Sequence, residues 1–462
     1  MLFRSEESNM NKTEAHQRKL TAGETIWVIG LFFLFFFLSM QKEFNYAPDE
    51  LMRYQIPEYI FRHNALPNGN MEELRNEIWG FSYAYYPFFL GPLLSAGFMK
   101  IVSVFTVDSF ALVVAARFTS VLSGVAVTYF AIKIAKELFD KNTKWIFITF
   151  TTLIPQFIFL TTYVNNDVIA VAGSAMIVYA WILGIRERWE WKSCVLLAVG
   201  IGVCALSYYN SYGWILCSIF VFFASELWQR RKKISDKELW KWGICISVIV
   251  IAMISYFFIR NAMLYDGDFL GMRSLTEASE MYAREDIKPS NRPTPMNLGM
   301  GLGEMLNTTQ YMGKTWANAT FQSFVAVFGY MDVYAPDWVY NVYKIVLLLG
   351  GIGIIIRLVQ RLKNDRTKQI KEQVIFHANM LICMVIPIGL SIYYSYATDY
   401  QPQGRYCYPM LLALTYFVAK GMESLVKLLP SEKAQMMLCR TMSALFGAIT
   451  GYVYLAMYMF WL

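Results

Sequence analysis

Two adjacent carboxylates, Asp49 and Glu50, stand in the run Tyr46-Ala47-Pro48-Asp49-Glu50, directly after the first strongly apolar segment, Thr25 to Met40. Charges beside hydrocarbon are costly unless they are solvated, paired or used in chemistry. A carboxylate within reach of a hydroxyl can take its proton as a general base. An arginine can hold a phosphate through two parallel N–H bonds. The chain has both kinds of group beside its apolar segments. Asp167 closes Tyr163-Val164-Asn165-Asn166-Asp167, and Arg260-Asn261 ends another segment. Asp332 follows Phe328-Gly329-Tyr330-Met331, and Gln403-Gly404-Arg405-Tyr406 opens a further one. A base and a phosphate cradle together suit glycosyl transfer from a lipid-linked sugar phosphate. Asp49 would activate the acceptor hydroxyl, Arg405 or Arg260 would hold the phosphate, and one displacement would invert the anomeric centre.

Each residue has an ordinary structural reading as well. Asp49 and Asp167 both fit helix N-caps. Arg260 fits a snorkelling residue at a helix end. Asp332 fits a turn, and His63 an ordinary surface residue. Arg405 fits this kind of reading less well, because a cation is disfavoured at a helix N-terminus.

The elements that must position these residues are membrane helices. Only 16% of the 462 residues are charged and 56% are hydrophobic, whereas a soluble domain is about a quarter charged. Apolar segments fall near 24–41, 84–106, 109–132, 144–163, 167–185, 193–208, 212–228, 240–260, 341–359, 374–396, 405–426 and 439–461, most of them close to spanning length. The net charge of +7 sits in short clusters between them: Lys133/Lys136/Lys141/Lys144, Arg186/Arg188/Lys192, Arg230/Arg231/Lys232/Lys233, Arg357/Arg361/Lys363/Arg366/Lys368 and Lys427/Lys433/Arg440. The positive-inside rule assigns all of these to the cytoplasm, with the basic N-terminal tail. Parity permits that only if 84–106 does not cross. Its Tyr85-Tyr86-Pro87 start, Gly91-Pro92 interruption and Lys100 fit a helix lying at the outer surface or partly re-entrant. The expectation is an all-α polytopic membrane protein of about eleven spanning helices, N-terminus inside.

The sequence then divides into a cytoplasmic tail (1–23), a transmembrane module (24–260) that includes an external loop (41–110), a second external loop (261–340) and C-terminal transmembrane helices (341–462). The first apolar segment is read as retained, since no small-residue cleavage site stands out. In the second loop, Ala283 to Pro295 is expected to be irregular and Met312 to Met331 to form a surface helix. No repeat is visible. The seven cysteines lie in or beside apolar segments without a CxxC pair, which suits packing rather than disulfides or zinc. No basic face with interleaved polar residues is present, which argues against nucleic-acid binding.

At these residues the chain resembles the C-type (GT-C) glycosyltransferase superfamily, which includes the protein O-mannosyltransferases and the aminoarabinose transferases of lipid A. Asp49-Glu50 after the first helix, the 50–62 and 84–106 surface segments and Asp167 near the end of the third spanning helix carry the likeness. More narrowly, the chain resembles a bacterial branch with Pro48-Asp49-Glu50, Arg260-Asn261 followed by Tyr265 and Gly267-Asp268, Phe328 to Asp332, and Gln403 to Tyr406. Relatives often carry histidine three residues after the Glu; here Arg53 stands there and adds positive charge beside a donor phosphate. The resemblance implies a polyprenyl-phosphate sugar donor in the lipid bilayer and a glycan, teichoic acid, lipid or protein acceptor outside the bacterial cytoplasmic membrane. It implies catalytic duty for Asp49 with Glu50 and Asp167 assisting, phosphate binding by Arg405, Arg260 and Arg53, and substrate contacts from Asn261, Tyr406, Gln403 and Asp332. Three carboxylates are able to hold Mg or Mn, but members using lipid monophosphate donors resemble metal-independent enzymes, so no essential metal or cofactor is expected. A transporter or flippase of a lipid-linked glycan is the alternative, and a noncatalytic scaffold a third. A transporter would place ionisable residues midway along helices, where only Arg117 and Lys100 stand out.

Overall fold

A computed structural model describes residues 19–229, 236–310, 313–363 and 370–458. The tail before Lys19, the Arg230 to Lys233 cluster, Met312, Arg366, Lys368 and the last residues of the 439–461 segment lie outside the described residues, as do the side chains of Arg361 and Lys363. The chain is helical almost throughout. Its first half contains α1 (Ala22–Gln41), α2 (Glu50–His63), α3 (Leu90–Ser103), α4 (Ser109–Leu138), α5 (Lys144–Thr152), α6 (Pro155–Leu160), α7 (Asp167–Glu187), α8 (Trp191–Ala205) and α9 (Tyr212–Gln229). Its second half contains α10 (Asp236–Leu264), α11 (Met272–Tyr282), α12 (Leu302–Asn307), α13 (Trp316–Val325), the hairpin β1 (Val327–Phe328) and β2 (Val333–Tyr334), α14 (Asp337–Lys363), α15 (Ile370–Ala397), α16 (Leu411–Val426) and α17 (Glu432–Val453).

Among the described residues, eight stretches are helical, long and apolar enough to cross a membrane: α1, α4, α7, Lys237–Leu264, Asp337–Gln360, Gln373–Ala397, Gly404–Val426 and Glu432–Met457. Three further segments read as crossings fall outside this set. The 144–163 segment is broken, because Pro155 opens α6 and drives Ile154 into extended backbone. The 193–208 segment forms the 15-residue α8, and 212–228 forms α9.

The centre of the bundle is α7, with 89% of its apolar stretch buried, whereas Lys237–Leu264 on the periphery buries 6%. One apolar core runs from Leu31 to Tyr454 and joins the 24–260 and 341–462 regions. Helices α14 and α16 cross almost backbone to backbone: a Cβ on Gly421 would lie 1.9 Å from the Gly350 carbonyl oxygen. Small residues at such crossings are how helices pack closely in lipid.

Buried ion pairs mark one end of this bundle. Glu24, at the start of α1, accepts from Lys136 at the end of α4 (3.0 Å) and from Lys144 at the start of α5 (2.6 Å). Arg186 at the end of α7 pairs with Glu137. Glu423 near the end of α16 binds Lys420 (2.8 Å) and Arg357 (3.3 Å). The basic clusters read as topology signals are thus partly consumed by buried acids. The opposite ends of α1, α7 and the Gly404–Val426 stretch carry Asp49, Asp167 and Arg405.

Residues 42–108 leave α1 and re-enter α4 at that second end, so α3 does not run from one end of the bundle to the other. It packs along the first turns of α4, where Ser95 donates to the Ala116 carbonyl (2.9 Å). The helix expected over 84–106 begins only at Leu90. Gly91 and Pro92 fall in its first turn, where a proline N–H is not needed. The surface helix expected from Met312 to Met331 is likewise shorter. It runs from Trp316 to Val325, and a two-stranded hairpin follows, turning at Gly329 with φ +61°.

Candidate active site

The site begins with the backbone of Asp49. Its φ is +63°, a left-handed conformation that only Asp and Asn among side-chain-bearing residues adopt at low cost. It precedes α2, but its carboxylate does not cap the helix. Asn45 takes that role instead, accepting from the Leu51 N–H at 3.2 Å. The Asp49 side chain turns to Arg405, whose Nη2 donates to Oδ2 at 2.6 Å. Arg405 is held on every side. Its Nε donates to Gln403 at 2.6 Å, Nη2 reaches the Tyr406 hydroxyl at 3.3 Å, and the guanidinium lies 5.0 Å from the Tyr406 ring centroid. Burial pushes the Asp49 carboxyl up, but Arg405, then Arg53, and hydrogen bonds from Arg405 and Tyr83 outweigh it and hold the group below its ordinary value.

Arg53 lies one turn into α2, with its guanidinium 5.1 Å from the Tyr83 ring centroid. Burial pulls its pKa down, but Asp167, Tyr83 and Asp49 together raise it above its ordinary value. Asp167 is fully buried at the first residue of α7. The capping bond at this helix start is made by Asn165, which accepts from the Val168 N–H at 3.1 Å. Among the described residues, neither Asp167 oxygen nor Arg53 Nε has a hydrogen-bond partner. Two acids and two arginines therefore face one another, each arginine lies against a tyrosine ring, and Arg405 Nη1 also reaches the Pro48 carbonyl at 3.5 Å. No group of three or more His, Cys, Asp or Glu side chains stands together as a cation site among the described residues.

Glu50, adjacent in sequence, points elsewhere. It is fully buried and binds Arg117 of α4 through both oxygens, at 2.7 and 2.9 Å. Its oxygens also accept from the Asn45 and Val164 backbone N–H groups. No lone pair is left for a substrate, so the catalytic part expected of Glu50 is replaced by a structural one. Arg117, fully buried within α4, is its partner.

Three other expected residues stand apart from the cluster. Arg260 donates to the carbonyls of Leu66 (3.2 Å) and Pro67 (2.8 Å), so it clamps the first loop. Asn261 is fully buried and donates to the Tyr85 carbonyl at 2.7 Å. Asp332 is exposed at the hairpin turn beside Gly329. Gln403 contacts Arg405 directly, and Tyr406 lines the cavity described next.

That cavity, of about 730 Å³, opens beside Asp49 and Arg53. Much of its wall is aromatic, including Tyr83, Tyr86, Tyr209, Tyr394 and Tyr406. Tyr83 stacks on Tyr86 at 6.1 Å, and Tyr86 meets Tyr209 at 6.3 Å. Met52, Ile56, Leu216 and Leu390 supply an apolar side that reaches the outer surface of the bundle, where Leu216 is 55% exposed. Asp399 and Arg292 line the same cavity. These last two and the tyrosines other than Tyr406 were not singled out as site residues in the sequence. The Tyr208-Tyr209 and Tyr393-Tyr394 pairs at helix ends were the available signal.

Gly404 shows how tightly the arginine is placed. A Cβ there would lie 2.1 Å from the Phe324 backbone nitrogen and 2.6 Å from the Thr320 carbonyl oxygen of α13. Its own N–H donates to Ser323 at 2.6 Å. Gly404→Ala must push α13 away from the Arg405 backbone, an overpacking that costs about 1–3 kcal/mol. A lower thermal unfolding midpoint in detergent is expected, and an unchanged midpoint would refute the close approach.

A family described as "Predicted membrane protein (DUF2142)" matches residues 55–414. No curated protein matches the chain in sequence. Among solved structures, it is similar to the oligosaccharyltransferase AglB of the archaeon Archaeoglobus fulgidus, solved with an inhibitory peptide and a dolichol-phosphate. The identity is 11% and the TM-score 0.50, over 94% of this chain and 55% of that one. ArnT from Cupriavidus metallidurans, solved bound to undecaprenyl phosphate, aligns at 12% identity and a TM-score of 0.48 over 94% of this chain and 66% of that one. At such identity the AglB likeness shows a shared GT-C fold and nothing finer. The chain spans between about half and two thirds of the length of these structures.

Proposed function

The chain belongs to the DUF2142 family of predicted membrane proteins, and from that premise we propose that it is an inverting glycosyltransferase. It moves a sugar from a polyprenyl-phosphate donor to an acceptor on the outer face of the bacterial cytoplasmic membrane. The observation that carries this reading is Asp49, paired with Arg405, at the wall of a cavity with tyrosines on one side and an apolar side reaching the bundle surface on the other. The polyprenyl chain would leave between α9 and α15, past Leu216 and Leu390, placing its phosphate against Arg53 and Arg405. The acceptor hydroxyl gives its proton to Asp49. Its oxygen bonds the anomeric carbon from the face opposite the phosphate. The carbon–oxygen bond to phosphate breaks, and the polyprenyl phosphate leaves with the electron pair, its charge met by the two arginines. Asp167 supports the cluster by balancing Arg53. The acceptor is a cell-surface glycan, teichoic acid, lipid or protein. The GT-C fold shared with AglB is consistent with this class of chemistry.

A lipid-linked glycan transporter fits less well. The bundle end away from the cluster is closed by the Glu24, Glu137 and Glu423 ion pairs, and the site's charges lie at one end rather than along a path. The deciding experiment uses the purified protein in nanodiscs, with undecaprenyl-phosphate sugars as donors and cell-envelope fractions as acceptors. Release of undecaprenyl phosphate and an inverted product are expected without a membrane potential. If no donor in a broad panel is consumed, the reading falls.

Arginines take the place beside the phosphate that a divalent cation would fill. Transfer is therefore expected to persist in excess EDTA. A loss of activity on chelation, restored by Mg or Mn, would show that the carboxylates recruit a metal.

A further inference from the structure

We propose that Asp399 is the anchor of a sugar-ring subsite in the same cavity, set apart from the reacting end. This deepens the transferase reading and rests on it for the origin of the sugar. The residue lies in the loop joining α15 to the Gly404–Val426 stretch, where its N–H and that of Thr398 both donate to the Tyr394 carbonyl. Its Oδ2 accepts from Gln401, and that is its sole side-chain bond among the described residues. Arg292, the cation that faces it, spends its donors on carbonyls: Nε and Nη2 on Ile287 (3.1 and 2.8 Å) and Nη1 on Thr398 (3.0 Å). Asp399 thus lines the cavity without a salt bridge. Burial pushes its carboxyl above the ordinary range, with Arg292 and Gln401 opposing. Such a group is an acceptor in search of O–H or N–H donors.

The surroundings name the ligand class. Tyr394 and Tyr406, 5.7 Å apart edge to face, line the cavity with Asp399. A pyranose ring has C–H faces that suit aromatic rings and a rim of hydroxyls that suits a carboxylate, and a few placed polar groups in an aromatic pocket fix orientation. Asp399 is also wired to the reacting end. Gln401 bonds Asp399 with its amide N–H and accepts from Tyr406 and from Gln403 (3.3 Å). Gln403 and Tyr406 in turn hold Arg405, which holds Asp49. One eight-residue segment, Asp399 to Tyr406, therefore positions both a hydroxyl-reading carboxylate and the phosphate-facing arginine. A ring seated on Asp399 would thus be linked to Asp49 through Gln401, Tyr406 and Arg405.

The ring belongs either to the donor's sugar or to the acceptor's terminal sugar, and one measurement separates them. Saturation-transfer NMR on the full chain in detergent, with methyl glycosides of glucose, galactose, mannose and N-acetylglucosamine as probes, reads binding without transfer. Wild type is expected to saturate at least one glycoside. Asp399→Asn should weaken it about tenfold or more, the scale of a lost hydrogen bond to a charged group. Tyr394→Leu should weaken it as well, and serves alone if Asp399→Asn does not fold. Displacement of the glycoside by an undecaprenyl-phosphate sugar, but not by undecaprenyl phosphate alone, assigns the ring to the donor. Persistence in the presence of that donor assigns it to the acceptor. Wild type that saturates none of the probes, or variants that bind as wild type does, would overturn the subsite. A protein that binds glycosides through Asp399 yet transfers nothing would overturn the transferase reading instead.

Discussion

Asp49→Asn is expected to lower sugar transfer by about 10²–10⁴-fold, the usual contribution of a positioned general base. The loss should fall on kcat, with the protein still inserting and purifying as wild type does. Asparagine keeps the oxygen that accepts from Arg405 Nη2 at 2.6 Å, so the arginine stays in place and only the proton acceptor is lost. The charge of Asp167 remains to balance Arg53 and Arg405. Full activity in this variant would remove Asp49 from the chemistry. The pH profile sharpens the test. In the free protein Asp49 is held below its ordinary value, so it is ionised, and its pairing stabilises the fold, at any pH above its unfolded value of about 3.9. That stabilisation is lost as pH falls through the lower folded value. A carboxylate so tightly paired is a weak base. A bound phosphate draws Arg405 away and brings its own negative charge near, and both changes raise the pKa of Asp49. The acid limb of kcat, which reports the bound state, should therefore lie at higher pH than the acid limb of kcat/KM. Coincident limbs would mean that the phosphate leaves the ion pair intact.

The sequence made depth along a helix legible but not direction around it. Apolar length located α1, α4, α7 and the later spans, because it depends on composition along the chain. Pro155 was a readable sign that 144–163 would break. Polar residues at helix ends were equally visible, but sequence alone does not say which way each one faces. Asp49 and Glu50 are neighbours, but Asp49 sits before α2 in left-handed backbone with φ +63° while Glu50 is the first helical residue. One turns to Arg405 and the other to Arg117. Arg117 itself was the missed clue, since an arginine deep in a span demands a carboxylate. Arg260 and Asn261 sit at the right level, but the first loop folds over them and takes Arg260 Nη2 at Leu66 and Pro67 and the Asn261 amide at Tyr85. Long-range loop packing of that kind leaves no periodic trace. Asp399 and most of the tyrosine wall were hidden for the same reason: they meet only when the first loop, α9, α15 and the 398–406 segment close around one space.

The largest effect on stability is expected at the Glu50–Arg117 pair. Both side chains are fully buried, and removing one partner of such a pair leaves an uncompensated charge at a cost of about 3–5 kcal/mol. Arg117 uses every direction of its fork. Nη1 donates to the Ser39 (2.8 Å) and Lys42 (2.7 Å) carbonyls, Nη2 to Glu43 (3.1 Å), and Nε and Nη2 to Glu50. The carbonyls at the end of α1 have no helical donors of their own, so the arginine ties the end of α1 to α2. Glu50 adds the Val164 N–H at 3.2 Å, three residues before Asp167. The pair thus fixes the segments that carry both site acids. Arg117→Lys should rescue little, because an ammonium has three donors where the fork uses more, and it lacks the planar geometry. Glu50→Gln and Arg117→Leu should each lower the thermal unfolding midpoint sharply. The double variant Glu50→Gln/Arg117→Leu should be less damaged than the sum of the two, by up to about 3 kcal/mol. It will not return to wild type, since Ser39, Lys42 and Glu43 lose their donor. Folded Glu50→Gln protein recovered at low temperature should keep much of its kcat, which separates a positioning residue from a reacting one. A folded variant with wild-type stability and no turnover would return Glu50 to the chemistry.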